Sequence, residues 1–362
     1  MNHSRTAHAA AAEPFAKAPD RPGDRPGDQA ARLRALIRGA PGPTNGSPRA
    51  DAAMHRNPIA RPEPDRPAPP AAAAPRVLTV ASGKGGVGKT NLCVNLAVAM
   101  ARSGVRTVLL DGDLGLANAD VLCGINTSSH LGQVLDGSRA LLDASVEAPG
   151  GFRLVSGAAG VTRLADMSAA DRERLVDSIP SLGGRTDLVL IDCGAGIGTG
   201  VLSFVRRADV SLVLTTPEPT AIADAYALIK SVVRRTPAAG LARTRHNAAL
   251  VVNQVRGPDE ALAVHRRINA VTERFLQTTV PLAGWVRRDD AVVTAVRERS
   301  PLLVSSPRAR ASEDVRTLAA HLRGIVGVTS PADVRRRGLL DRLLGRGRGR
   351  GAAGSKPATG SG

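Results

Sequence analysis

The segment Gly83–Thr90, GKGGVGKT, limits what this chain can fold into more than any other. It lies between an apolar run, Arg76 to Ser82, and a stretch from Lys89 to Arg102 whose apolar residues recur at helical spacing and stop before Gly104. A glycine-rich turn from strand to helix lets main-chain N–H groups approach and cradle phosphate oxygens, helped by the positive end of the helix. Gly83, Gly85, Gly86 and Gly88, with Val87 among them, form that cradle. Lys89 is then placed to neutralise β- and γ-phosphates, and the Thr90 hydroxyl to bind Mg²⁺. Together these residues read as a nucleotide phosphate site.

The rest of the pattern agrees with such a turn. Apolar runs at Val105 to Leu110, Asp187 to Ile191, Val210 to Leu214 and Ala248 to Val252 alternate with helical stretches such as Pro219 to Arg235. Asp289 to Arg299 and Ser312 to Arg323 predict two late helices. Strands alternating with helices predict an α/β domain over residues 76–329, a doubly wound, mostly parallel sheet flanked by helices. Residues 1–75, rich in Ala, Pro, Arg and Asp, and residues 330–362, rich in Arg and Gly, show no sustained apolar period that would offset the entropy of ordering.

Charge narrows the partners. The net charge is +17, but residues 76–229 carry 13 basic and 15 acidic groups, and residues 230–329 carry 17 and 8. The back half of the domain and the Arg-rich tail therefore favour anionic partners, lipid headgroups or nucleic acid. With six aromatic residues in the whole chain, a stacking platform for single strands is not expected. Cys93, Cys123 and Cys193 lack metal spacing and read as structural thiols of a reduced cytosol. No apolar run resembles a signal peptide or approaches the ~18 residues of a membrane span, so a cytoplasmic location is expected. Among 49 basic residues only five are lysines, and two of those, Lys84 and Lys89, fall within the glycine-rich loop. A chain that writes Arg almost everywhere keeps Lys there because the chemistry demands a compact ammonium.

Two acidic segments complete the site. DGDLGLANAD, Asp111 to Asp120, follows the second apolar run, where carboxylates beside a phosphate loop suit Mg²⁺-water contacts and orientation of an attacking water. In LVLIDCGAG, Leu188 to Gly196, Asp192 ends an apolar strand and is placed to hold Mg²⁺ through water, while the surrounding glycines allow the loop to move.

The pattern KGGVGKT, with Lys84 near its start, resembles the deviant Walker A loop of the MinD/ParA superfamily of P-loop ATPases. That resemblance spans Arg76 to about Arg323. It implies ATP and Mg²⁺ as ligands and an ATP-dependent homodimer in which Lys84 reaches the partner's nucleotide. It further implies that Asp113 positions the attacking water and Asp111 supports the magnesium shell. Gly196 would sense the γ-phosphate, and Asn253 would present its amide to the adenine edge. The wording DLGLANADVLCG and TTPEPTAIADAYALIK is most similar to the flagellar-number regulators called FlhG, FleN or YlxH. DQAARLRALI, residues 28–37, resembles the segment by which those regulators activate the SRP-type GTPase FlhF. Gln29 would be offered to the partner's GTP site, with Leu33 among the apolar contacts. In the tail, Leu339, Leu340, Leu343 and Leu344 share one face of a helix ringed by arginines. This resembles the C-terminal anchor of MinD-like proteins, and implies reversible binding to the cytoplasmic face of an anionic inner membrane. A ParA-type DNA-partitioning ATPase and a MinD-type division-site selector share the nucleotide residues and remain alternatives.

Overall fold

Apolar runs without polar alternation cannot face water on either side, so they become central strands covered by helices on both faces. The computed structural model describes residues 73–113, 117–157, 168–234 and 247–329. The expected helices at 28–37 and 333–346 lie outside them, as do Gln29, Leu33, Leu339, Leu340, Leu343 and Leu344. In chain order the elements are β1 (Arg76–Ser82), α1 (Lys89–Arg102), β2 (Thr107–Gly112), α2 (Ala119–Leu122), α3 (Leu131–Leu135), β3 (Val146–Ala148) and β4 (Phe152–Val155). There follow α4 (Ala169–Ser178), β5 (Leu188–Ala195), α5 (Thr199–Arg207), β6 (Val210–Thr215), α6 (Pro219–Arg234) and β7 (Asn247–Val255). The last are α7 (Pro258–Leu276), β8 (Leu282–Arg287), α8 (Asp290–Arg297), α9 (Leu302–Ser305) and α10 (Arg310–Val326).

The strands form one sheet in the order β3-β4-β2-β5-β1-β6-β7-β8. Every neighbouring pair is parallel except β3 with β4, an edge hairpin turned through Gly150 (φ 99°) and Gly151 (φ 90°). Alternate residues of each strand feed opposite cores. From β1, Leu78 and Val80 pack with Leu96 and Met100 of α1 and with Leu318 and Leu322 of α10. Val77 and Ala81 point the other way, toward Leu175, Phe204, Leu228 and Ile268. Two apolar layers thus enclose the sheet, as the continuous runs predict. Parallel pairing also brings the carboxyl ends of β1, β2, β5, β6 and β7 to one edge, where the loops after them meet.

The boundaries differ in instructive ways. Val105, expected to open the second strand, closes α1 instead: past Gly104 (φ 85°), its N–H donates to the Met100 carbonyl. β5 continues beyond Asp192 to Ala195, so Asp192 is held inside a strand and not at its tip. The late helices are present at α8 and α10, whereas α7 and β8 fall outside the spans read from the sequence.

One carboxylate starts both late helices. Asp289 accepts N–H groups from Ala291 (3.0 Å) in α8 and Ala311 (3.1 Å) in α10. Beside it, Arg287 of β8 donates to Asp314 of α10 through its main-chain N–H and both ends of its guanidinium, each at 2.8 Å. Asp289→Ala leaves two helix-start donors without that acceptor and should cost about 1–2 kcal/mol, read as a lower urea midpoint. The Ala291 N–H, and secondarily those of Ala311 and Arg310, hold the Asp289 carboxyl below its ordinary value against the opposing effect of burial. Its contribution is therefore full above the unfolded-state value of about 3.9 and is lost as pH falls through the lower folded value. The gap between wild type and variant should shrink below about pH 4; a gap that persists unchanged would show that the charge plays no part.

Candidate functional site

The loop after β1 is shaped by two glycines in the left-handed region, Gly86 (φ 80°) and Gly88 (φ 88°). Gly83 is required for a different reason: a Cβ there would lie 2.2 Å from the Asp224 carbonyl oxygen, because the loop passes against α6. Space opens instead over Gly85 and Gly86, where an added Cβ would meet nothing within 4 Å. The loop delivers Lys89 and Thr90 as the first residues of α1. That helix has no side-chain cap and no acidic residue in its first turn. Its leading N–H groups and positive dipole end suit an anion.

Beneath the loop lies a buried ion pair. The Lys89 ammonium donates to Asp192 Oδ1 at 2.7 Å, with the side chains 8% and 0% exposed. Burial is the largest single influence and lowers the Lys89 value, but the Asp192 charge and hydrogen bond, with the nearby Cys93 and Asp113, together outweigh it and push the ammonium up to about 12. Burial raises the Asp192 value, opposed by Lys89 and then by the Thr90 hydroxyl. Its second oxygen, Oδ2, is buried and has no hydrogen-bond partner among the described residues. A buried carboxylate oxygen beside a threonine hydroxyl, under an anion cradle, is the donor set a hard divalent cation takes.

Asp111 stands opposite Asp192 in the β2–β5 register and is fully buried. Its oxygens are already engaged: Oδ1 accepts the Asp113 N–H (3.2 Å), and Oδ2 accepts those of Asn118 (3.0 Å) and Ala119 (3.1 Å). Burial, then the neighbouring Asp192 charge, push Asp111 up to about 7 against those N–H donors. Asp111 thus anchors the loop after β2 and the start of α2. Asp113, just past the strand, is half-buried and faces the Gly194 backbone, 3.8 Å from a Cβ built there.

Three other expected residues lie at the site with intrachain partners. Lys84 Nζ donates to Glu218 Oε2 (2.9 Å) and to the Thr220 hydroxyl (3.0 Å). The Gly196 N–H donates to the Ser82 carbonyl at 2.8 Å. The Asn253 amide donates to the Val87 carbonyl at 2.8 Å, and its Nδ2 lies 2.6 Å from a Cβ built on Gly88, so it braces the phosphate loop from β7. The resemblance puts TTPEPTAIADAYALIK, Thr215 to Lys230, beside the nucleotide, but sequence reasoning singled out none of Glu218, Thr220 and Asp224 as neighbours of the loop. The segment TTPEPT was noticed, but no local spacing announces a contact across 134 residues.

Residues 78–302 match the family described as the CobQ/CobB/MinD/ParA nucleotide binding domain. Over 237 residues the chain is 38% identical to the antiactivator FleN of Pseudomonas aeruginosa, covering 66% of this chain and 82% of that protein. It is 30% identical over 249 residues to the flagellum site-determining protein YlxH of Helicobacter pylori, covering 68% and 81%. Among solved structures, the septum site-determining protein MinD of Pyrococcus horikoshii OT3, complexed with Mg-ADP, superposes with a TM-score of 0.57 at 26% identity, covering 70% and 97%. The uncapped loop, the buried Lys89–Asp192 pair and these likenesses agree: the chain belongs to the CobQ/CobB/MinD/ParA nucleotide-binding family and is a P-loop ATPase of its MinD/ParA branch.

Proposed function

We propose that this chain is an ATP-driven dimerising switch that regulates the number and placement of flagella. The contrast between its two loop lysines carries the reading. Lys89 is buried against Asp192, whereas the Lys84–Glu218 pair is 40% and 64% exposed. An exposed pair contributes at most about 1 kcal/mol, so Lys84 leaves Glu218 at little cost and reaches the phosphates of a second copy. The flagellar output rests on the similarity to FleN and YlxH.

In this reading the backbone of Gly83–Thr90 cradles the phosphates of ATP and Lys89 neutralises their charge. Thr90 and Asp192 hold Mg²⁺, and Asp111 secures the loop behind them. Bound there, Mg²⁺ would supply charge neutralisation to the phosphates. Asp113 orients the attacking water. The Gly196 N–H exchanges the Ser82 carbonyl for the γ-phosphate, and Asn253 turns its amide to the adenine edge. Hydrolysis separates the dimer.

Asp113→Ala should bind ATP, hydrolyse it at least ~100-fold more slowly and accumulate as dimer in light scattering. Lys84→Ala should bind ATP and stay monomeric. Lys89→Ala should lose nucleotide and, by stranding the buried Asp192, also lose about 3–5 kcal/mol of stability. An Asp113→Ala protein that binds ATP but remains monomeric would sink the assignment of water positioning.

The arm and the tail provide the outputs. The DQAARLRALI segment, through Gln29 and Leu33, stimulates an SRP-type GTPase of the FlhF kind. Deleting residues 1–40 should leave basal ATPase intact and abolish that stimulation; equal stimulation by the truncated chain overturns the role given to Gln29 and Leu33.

The tail segment in which the sequence predicts a helix with Leu339, Leu340, Leu343 and Leu344 on one face binds the cytoplasmic face of the inner membrane. Each arginine near an anionic surface contributes about 1 kcal/mol, so one tail binds weakly and two on a dimer bind by effective concentration. Sedimentation with anionic vesicles should rise with ATP and vanish in Leu339→Glu/Leu343→Glu. If that variant still sediments and DNA competes it away, the tail is a nucleic-acid arm and the partitioning reading gains.

A further inference from the structure

At the end of α1 remote from the phosphate loop, a groove runs between α1 and α10. Residues Ala99, Arg102 and Ser103 line it from one side, and Arg316, Ala319, Ala320 and Arg323 from the other. The α10 residues fall at i, i+3, i+4 and i+7, a single helical stripe with alanines between arginines. Because alanine leaves the space between two packed helices unfilled, a cavity of about 230 Å³ remains, closed on one side by Leu303. The lining is mostly apolar, and the rim is basic.

Two of the rim arginines, Arg102 and Arg316, meet only neutral acceptors among the described residues. Arg102 donates to the Leu303 carbonyl and Arg316 to the Pro307 carbonyl, each at 2.7 Å. A neutral carbonyl orients a guanidinium without neutralising it. Among the described residues neither arginine belongs to an ion pair, and both are exposed. The Leu303 backbone is gripped twice from α1, since its N–H also donates to Asn95 at 2.9 Å. The wall is therefore preformed.

We propose that this groove docks an acidic peptide segment of a partner protein, seating one apolar side chain in the cavity between carboxylates held by Arg102 and Arg316. The volume is below the ~300 Å³ at which small-molecule and cofactor sites begin, and suits a single large side chain. A bilayer surface does not fill a concave pocket, and nucleic-acid phosphates have no use for an apolar floor. An apolar anchor ringed by arginines is the arrangement that concentrates binding energy at protein interfaces. The groove lies about 20 Å along α1 from Lys89, so the proposal stands apart from the nucleotide chemistry.

A random dodecapeptide library displayed on phage, panned on the full chain, tests it. Enriched peptides should carry an apolar residue flanked by Asp or Glu. Their affinity, measured by fluorescence anisotropy, should fall at least tenfold for Arg102→Glu/Arg316→Glu. It should fall similarly for Ala320→Leu, which fills the groove from its exposed side. Basal ATPase within about twofold of wild type certifies that both variants are folded, because neither touches the phosphate loop. Three results overturn the proposal: no enrichment over blank surface, equal binding to wild type and both folded variants, or arginine-dependent binding of phosphatidylglycerol vesicles with no peptide enriched.

Discussion

The buried pair between Lys89 and Asp192 is the contact on which the rest of the site depends. An ammonium and a carboxylate at 8% and 0% exposure each lose hydration worth several kcal/mol, and neither is tolerated without the other. The pair forms only if β1 lies beside β5 and the glycine-rich turn delivers α1 over the sheet in this register. It also leaves one oxygen of Asp192 without a partner among the described residues, directly beneath the anion cradle. An incoming polyphosphate would compete for Lys89, and the carboxylate would then need a cation of its own. The same contact that steadies the loop would thus link the arrival of anion and divalent cation.

Around that pair the loops brace one another through main-chain atoms. Ser82 and Gly196 join the loops after β1 and β5, Asn253 holds the phosphate loop from β7, and Asp111 ties down the chain after β2. The Ser82–Gly196 and Asn253–Val87 bonds span strands that neighbour in the sheet or nearly so, so the sheet order makes those braces possible, whereas the Asp111 bonds are local to the end of β2. Their strengths differ in a useful way. A neutral amide–carbonyl bond is worth about 1 kcal/mol net and can be exchanged for a phosphate contact. Breaking the buried ion pair costs several times that. The periphery of the site is consequently cheap to rearrange, whereas its centre can open only where an anion and a cation replace the two partners.

The phosphate loop and the alternation of strands with helices were legible in the residues because both are local patterns. Glycines at left-handed positions, apolar periodicity and the scarcity of lysine can be read within a few residues of one another. The same locality explains the misses. Val105 continues an apolar run, and only the closing hydrogen bond to Met100 assigns it to the end of α1. The N–H groups that the Asp111 oxygens accept, up to eight residues further on, are likewise invisible to a local pattern.

What the sequence by itself determined is the chemistry offered: a phosphate cradle, two lysines within it, three aspartates at the ends of apolar runs and an α/β frame to carry them. These depend on backbone freedom and side-chain charge, which are properties of short segments. Only the tertiary structure decided which groups face one another. It put Lys89 on Asp192 across 103 residues and Lys84 on Glu218 across 134, one pair buried and the other in water. It also brought alanines of α1 and α10 together into a groove that neither helix announces alone. Burial sets the strength of a charge pair, and burial is a property of the packed sheet and helices, not of any stretch of chain.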